Sequence, residues 1–149
     1  MADNAIEKIL QYHFQDPALL KEALHADGST PTLSKDKPRE HGNKALAMIG
    51  DAVLRLVVVN DGIVGGNTRQ SCHEICMAET SNTALSKILR KWEMDRFVHL
   101  PGSLKGTVAR TAGASTTEAI VAAVWIDSDH DFDTVHRVIH NLHIGVGCT

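Results

Sequence analysis

The most informative part of this 149-residue sequence is the segment Asn43-Lys44-Ala45-Leu46-Ala47-Met48-Ile49-Gly50-Asp51-Ala52-Val53-Leu54. With the residues around it, it predicts one long helix from Gly42 to Ile63. From Leu46 to Val59 the helix is apolar on nearly all sides, which is typical of a buried helix. We expect this helix to pack against both the core of its own chain and a partner. Three glycines should end it: Gly62, Gly65 and Gly66.

Helical periodicity also governs the segments on either side, so the sequence predicts an all-α fold. A short helix begins near Ile6, and Asp16-Pro17 starts a second one. Thr68 caps a helical stretch that runs to about Lys91, and Asp131 caps a last helix through Leu142. The stretch from Thr116 to Asp127 is rich in Ala, Ile and Val and predicts another buried helix.

The remaining segments predict loops within one domain that covers residues 1–149. The range 27–41 is a polar loop containing two prolines, and 102–113 is a small polar loop. Residues 144–149 are expected to fray. The hydrophobic fraction is 43%, which suffices for one core without metal or disulfide cross-links.

Net charge and cysteine content limit the possible partners and compartments. The formal net charge is −3 and the pI is about 6.3, so the surface is not broadly basic, although a local basic patch is compatible with these values. We expect no membrane partner, because no segment is long and apolar enough. Three cysteines, with no secretory signal or transit peptide in view, favour reduced thiols in the cytoplasm or nucleus.

Two segments resemble the motifs of the ribonuclease III endonuclease domain. Residues 43–54 follow the pattern N-E-R-L-E-F-L-G-D-A-V-L, and Gly-Asp-Ala-Val-Leu at 50–54 matches it fully. Residues 114–127 follow A-D-x-x-E-A-x-x-G-A-x-x-x-D. Leu20 to His25 and Asn82 to Leu89 resemble two further helices of that family in the expected order. We expect the double-stranded-RNA-binding domain of many members to be missing, because the sequence ends just after the last predicted helix.

The resemblance implies a two-fold homodimer that cleaves double-stranded RNA with Mg²⁺ or Mn²⁺ held by four acids. Phosphodiester hydrolysis needs an activated water and a stabilised leaving oxygen, and carboxylate-bound metal ions supply both. Asp51 and Glu118 keep two of these acids as catalytic and metal-ligand candidates. Ala47 and Ser115 stand where the other two are expected, and Lys44 stands at the signature's first Glu. A high-affinity two-metal site is therefore not expected.

The remaining acids have two readings. Asp51 and Glu118 either bind a metal ion weakly or remain as an ion-paired or hydrogen-bonded pair between two buried helices. The ammonium of Lys44, two turns before Asp51, is a possible charge replacement at the vacated metal position. Glu40 lies about three turns before Asp51 and is a candidate replacement acid, although a loop position is the preferred interpretation.

Three other features concern the dimer interface and metal binding. Met48 takes the place of the family's aromatic residue that inserts into the partner subunit, so we assign it to the dimer interface. Cys72 and Cys76 are expected to be buried, reduced and metal-free, because a structural zinc site needs two further ligands. His136, His140 and His143 form one stripe of the last helix, which we interpret as a solvated face.

Three functions remain open at this point. The first is a homodimeric ribonuclease III-like domain that is weakly active or inactive and that binds RNA or assists assembly. The second is a non-catalytic protein-interaction or structural module, as found in larger RNA–protein assemblies. The third is an active nuclease with a rearranged site, which requires Glu40 or another acid near Asp51 and Glu118.

Overall fold

The computed structural model describes residues 2–26, 42–100 and 109–145. Within these ranges every regular element is helical, as the sequence predicts. The α-helices are α1 (Ala2–Leu10), α2 (Pro17–Ala23), α3 (Lys44–Val64), α4 (Arg69–Glu79), α5 (Asn82–Lys91), α6 (Arg110–Asp127) and α7 (Phe132–Asn141). A short 3-10 helix (Met94–Phe97) follows α5. Among the described residues, none of the helices is long and apolar enough to cross a membrane.

Three of the predicted helix starts are capped by the expected side chains. The side chain of Asp16 accepts a hydrogen bond from the backbone N–H of Ala18, next to Pro17 in the first helical position. Thr68 accepts from the N–H of Ser71, and Asp131 accepts from the N–H of Thr134. Each cap satisfies an N–H group that has no partner within its own helix.

The helical stretch predicted from Thr68 to Lys91 is two helices rather than one. The hydroxyl of Thr80 donates to the carbonyl of Cys76, and the side chain of Ser81 accepts from the N–H of Ala84. Hydroxyl side chains that bond to nearby backbone groups compete with helix continuation and favour caps. Ser81 therefore begins α5, and the chain turns between α4 and α5.

Two other boundaries differ from the prediction. Helix α6 begins at Arg110, so its first turn lies within the range predicted as a loop, and residues 101–108 lie outside the described residues. Ile144 packs into the core with 2% of its surface exposed, so the predicted fraying does not begin at residue 144. Residues 146–149 and the predicted loop 27–41 lie outside the described residues.

The core is built around the contact between α3 and α6. Helix α6 is buried along most of its length, with α3 on one side and α5 on another. Gly50 is the point of closest approach, because a methyl group there would lie 1.8 Å from the carbonyl oxygen of Glu118. Only glycine leaves room for the backbone of α6 at this crossing.

The N-terminal part of the chain is held by the last residue of α6. The carboxylate of Asp127 accepts hydrogen bonds from the hydroxyl of Tyr12 at 2.5 Å and from the backbone N–H groups of Gln15 and Asp16 at 2.9 and 2.8 Å. Burial acts to raise the pKa of Asp127, but these hydrogen bonds outweigh it and the pKa is lowered. The link between α1 and α2 is therefore attached to α6.

Replacing Gly50 with Ala tests the helix crossing. In an exposed helix this change is worth up to about 1 kcal/mol of added stability. Here the new methyl group would meet the backbone of Glu118. We expect Gly50→Ala to destabilise the fold by about 2 kcal/mol or more, measured by denaturant and thermal unfolding.

Asn60→Ala is the matched control, because Asn60 is exposed on the same helix. It should leave the unfolding midpoint unchanged or raise it slightly through helix propensity. A Gly50→Ala protein as stable as the wild type would show that the helices do not approach so closely.

Candidate active site

Asp51 and Glu118 lie together because of the crossing at Gly50. Asp51 follows Gly50 in α3, and Gly50 rests on the backbone of Glu118 in α6. The two carboxyl groups share a hydrogen bond. Burial, this hydrogen bond and the charge of Asp51 raise the pKa of Glu118 from an ordinary 4.5 to about 7. The pair therefore holds a proton between its two acids over much of the range below neutral pH.

Two cationic side chains flank this acid pair. The ammonium of Lys44 donates to the hydroxyl of Ser115, with 3.1 Å between Nζ and Oγ. The guanidinium of Arg55, one turn after Asp51, donates from Nε to Oδ1 of Asp51 at 3.2 Å. Both cations act to lower the pKa of Glu118, against the larger effects that raise it. The site thus contains as many cations as carboxylates.

Ala47 and Ser115, where the sequence motifs lead us to expect two further acids, lie on the same two helices as the acid pair. Ala47 lies one turn before Asp51, and Ser115 lies one turn before Glu118. Both residues are buried. Lys44 contacts Ser115. Its positive charge therefore lies where the second sequence motif predicts a carboxylate. Of the four positions that the two sequence motifs single out, Asp51 and Glu118 therefore carry carboxylates, whereas Ala47 and Ser115 do not.

Comparison with known protein sequences gives a match over this part of the chain. The sequence pattern of the ribonuclease III domain matches residues 44–129, which include both acids and Ser115. The chain belongs to the ribonuclease III family. It is 28% identical to Ribonuclease 3 of Idiomarina loihiensis, over 91% of this chain and 57% of that protein. It is 30% identical to Ribonuclease 3 of Rickettsia bellii, over 92% of this chain and 61% of that protein.

The comparison with solved structures shows the same fold as the nuclease domain of that family. The chain superimposes on two solved structures of the ribonuclease III nuclease domain from Campylobacter jejuni with TM-scores of 0.77 and 0.78. Each comparison covers 93% of this chain, at 22% and 21% sequence identity. One of those structures concerns flexibility in the region involved in dimer formation of that nuclease domain. The chain spans about three fifths of the length of the curated relatives that it matches.

The residues present do not fit the two-ion site that the ribonuclease III family implies. A divalent ion at Asp51 and Glu118 has to displace the proton that they share, and it has to compete with Arg55 for Asp51. Mg²⁺ prefers oxygen ligands and gives up its water reluctantly. Two carboxylates already balanced by two cations offer such an ion little net attraction.

Asn43, the first residue of the ribonuclease III signature, has a structural position. Its buried side-chain amide donates to the carbonyl of Ala23 at 2.7 Å and to the hydroxyl of Thr116 at 3.1 Å. These bonds join the end of α2, the start of α3 and the first half of α6. Asn43 thereby fixes the end of α3 from which Lys44 extends.

Three other residues singled out in the sequence lie on the outer face of α3 or on α4. Met48 is on the outer face of α3 with 78% of its surface exposed. Cys72 and Cys76 are buried free thiols on α4. Glu40 and Cys148 lie outside the described residues, so their positions remain predictions.

Two features escaped the sequence reasoning. Arg55 donates a hydrogen bond to Asp51. Its position four residues after Asp51 on the same helix is the sequence feature that predicts this ion pair. The sequence predicts that His136, His140 and His143 form one solvated stripe of the last helix. This is wrong, because His143 lies beyond the end of α7 and because His136 and His140 are only partly exposed. Both rings contact Asp61 near the end of α3. Burial acts to raise the pKa of Asp61, but the hydrogen bonds from the two histidines outweigh it and lower that pKa.

The raised pKa of Glu118 predicts how stability depends on pH. Between pH 4.5 and about 7 the folded state binds this proton more tightly than the unfolded chain does. The stabilisation is complete below the unfolded pKa and is lost as the pH rises through the folded pKa. Gln mimics the protonated acid, so the wild type should lose stability relative to Glu118→Gln between about pH 5 and pH 8.

The measurement is the melting temperature of both proteins against pH in metal-free buffer. The difference between them is the relevant quantity, because other groups titrate in the same range. His25, for example, has a pKa lowered by burial and by His99, and it acts in the opposite direction. Parallel profiles for the two proteins would mean that Glu118 does not titrate near neutral pH.

Proposed function

We propose that this ribonuclease III-type domain binds duplex RNA as a homodimer without cleaving it appreciably in Mg²⁺. Family membership and the resemblance to curated Ribonuclease 3 proteins support duplex RNA as the ligand. The main support for low activity is the contact of Lys44 with Ser115. The buried free thiols Cys72 and Cys76 are consistent with a reducing compartment such as the cytoplasm or nucleus.

The charge balance of the site explains the low activity proposed. A metal-dependent nuclease stabilises the charge that develops on the phosphate with dications held by several carboxylates. Here two acids remain, and one of them is protonated up to about neutral pH. Lys44 and Arg55 supply positive charge, but an ammonium or guanidinium does not deliver a metal-bound hydroxide. Such a site suits phosphate binding better than hydrolysis.

The exposed side of α3 supports the homodimer. Large apolar side chains follow one stripe of the helix over about 22 Å. The most exposed of them are Met48, Leu56 and Ile63, at 78%, 52% and 46% of their surfaces. Next to Met48, a shallow apolar depression is lined by Ile49, Ala52, Val53, Leu56 and Trp125. In a two-fold dimer each Met48 can enter the corresponding depression of the other copy.

Cleavage of a long RNA duplex tests the catalytic part of the proposal. We expect no product above background at millimolar Mg²⁺ or Mn²⁺ because the acid cluster is incomplete. The triple variant Ala47→Glu, Ser115→Asp, Lys44→Glu restores the family's acids and removes the cation. It should bind Mg²⁺ more tightly than the wild type, measured by calorimetry, and give detectable cleavage.

Asp51→Ala in both backgrounds is the control, since it should abolish any metal-dependent product. Fluorescence anisotropy on the same duplex measures binding separately from cleavage, and affinity should fall with rising salt. Strong wild-type cleavage that Asp51→Ala abolishes would contradict the proposal of low activity. A dimer that does not bind the duplex would instead favour the protein-interaction module.

The dimer is tested by Met48→Asp, which places a charge at the N-terminal end of the apolar stripe, where Met48 is its most exposed residue. We expect this variant to be monomeric or poorly soluble at micromolar concentration, while the wild type has twice the 16.2 kDa chain mass. Val64→Asp is the matched control, since Val64 is equally exposed, at 79%. It lies roughly 160° around α3 from Met48. Light scattering that gives the monomer mass for the wild type would refute the dimer.

A further inference from the structure

A second cluster of possible metal ligands lies at the far end of α3 from Lys44. Asp61 is ten residues after Asp51, which places it about 15 Å further along the helix. Nε2 of His136 lies 2.8 and 3.0 Å from the two carboxylate oxygens of Asp61, and Nε2 of His140 lies 2.9 Å from one of them. One ligand atom from each residue lies within 4.8 Å of the other two.

We propose that Asp61, His136 and His140 form a binding site for one Zn²⁺ ion, separate from the acid pair at Asp51 and Glu118. The site would join α3 to α7. Its ligands are two imidazoles and one carboxylate, and none of the three belongs to the family's nuclease site. The proposal does not depend on the domain's activity toward RNA.

The arrangement on α7 suits a metal ion. His136 and His140 are four residues apart, so their rings project from one helix face toward the same point. Their ring centroids are 4.3 Å apart, and the ring of Phe132 stacks on His136 at 5.7 Å. Both imidazoles present the same nitrogen, Nε2, to Asp61. The rings are therefore already oriented as ligands of one ion.

The distances require only a small adjustment. In a tetrahedral zinc site with bonds of 2.0–2.1 Å, neighbouring ligand atoms are separated by about 3.3 Å. The nitrogen–oxygen distances here are 2.8 to 3.0 Å, so each imidazole has to move back by a few tenths of an ångström. The side chains of His136 and His140 are 33% and 36% exposed, which leaves solvent access for a water as fourth ligand.

The choice of ligands favours zinc over magnesium or calcium. Imidazole nitrogen suits Zn²⁺ and other late first-row ions, whereas Mg²⁺ and Ca²⁺ prefer oxygen ligands. Three protein ligands and one water is the coordination that open zinc sites use. Without metal, the same residues make hydrogen bonds between both histidines and Asp61. Zinc binding and this hydrogen-bonded state are the two outcomes that an experiment has to separate.

The experiment titrates an untagged chain of residues 1–149 with Zn²⁺ in a buffer containing excess Mg²⁺, by isothermal calorimetry and thermal unfolding. We expect one Zn²⁺ per chain and a higher melting temperature with zinc, because the ion binds the folded state. His136→Gln, His140→Gln and Asp61→Asn should each weaken zinc binding at least about tenfold and remove the thermal shift.

Three control variants locate the binding site. His143→Asn removes another imidazole from the same end of the chain, and Asn tolerates the left-handed backbone at that position. Glu118→Gln alters the acid pair, and the double variant Cys72→Ala, Cys76→Ala removes the thiols. All three should keep wild-type zinc affinity. Bound Co²⁺ should likewise lack the intense charge-transfer absorption that thiolate ligands produce.

Three results would overturn the proposal. The first is a wild-type protein that binds no zinc at micromolar concentration. In that case the three residues would only form hydrogen bonds with one another. The second is a His140→Gln protein that is folded, as judged by its circular dichroism, and binds zinc as tightly as the wild type. The third is loss of the zinc with the cysteines rather than the histidines, which would place the ion at Cys72 and Cys76.

Discussion

The close contact between Gly50 and the backbone of Glu118 is the constraint on which the rest of the structure depends. The contact leaves no space for a side chain, and it places the next residue, Asp51, beside Glu118. A larger residue at position 50 would separate α3 from α6 and with them the two acids. The Gly-Asp dipeptide of the family signature is therefore one structural unit, in which glycine sets the distance and aspartate supplies the carboxylate.

Charge compensation at this crossing changes what the acid pair contributes to the fold. Four carboxylates converging on one place repel one another unless metal ions bind between them, and such sites lower the stability of the unliganded protein. Here Lys44 and Arg55 place two positive charges beside the acid pair, and the shared proton on Glu118 removes further negative charge. The crossing can therefore be stable without metal. A complete cluster of catalytic acids, in contrast, usually destabilises the protein when no metal ion is bound.

The sequence predicted the helical class, the central helix and the N-caps of three other helices because these depend on local patterns. The acid pair followed from two motifs whose spacing is characteristic of the family. The break at Ser81 was missed, since a hydroxyl residue is compatible with both a helix interior and a cap. The Asp61 cluster was missed for another reason. Asp61 and His136 are 75 residues apart, and periodicity within a single helix does not reveal which residue on another helix it faces.

The attachment of the N-terminal region to Asp127 has a consequence for synthesis of the chain. Tyr12 leaves the ribosome before its hydrogen-bond partner Asp127, which follows 115 residues later. Helix α1 and the link to α2 therefore lack their final contact until the chain has been made as far as Asp127. Contacts between such distant positions form late and slow the search for the native state. The exposed apolar face of α1 during this interval is a natural target for chaperones that act on nascent chains.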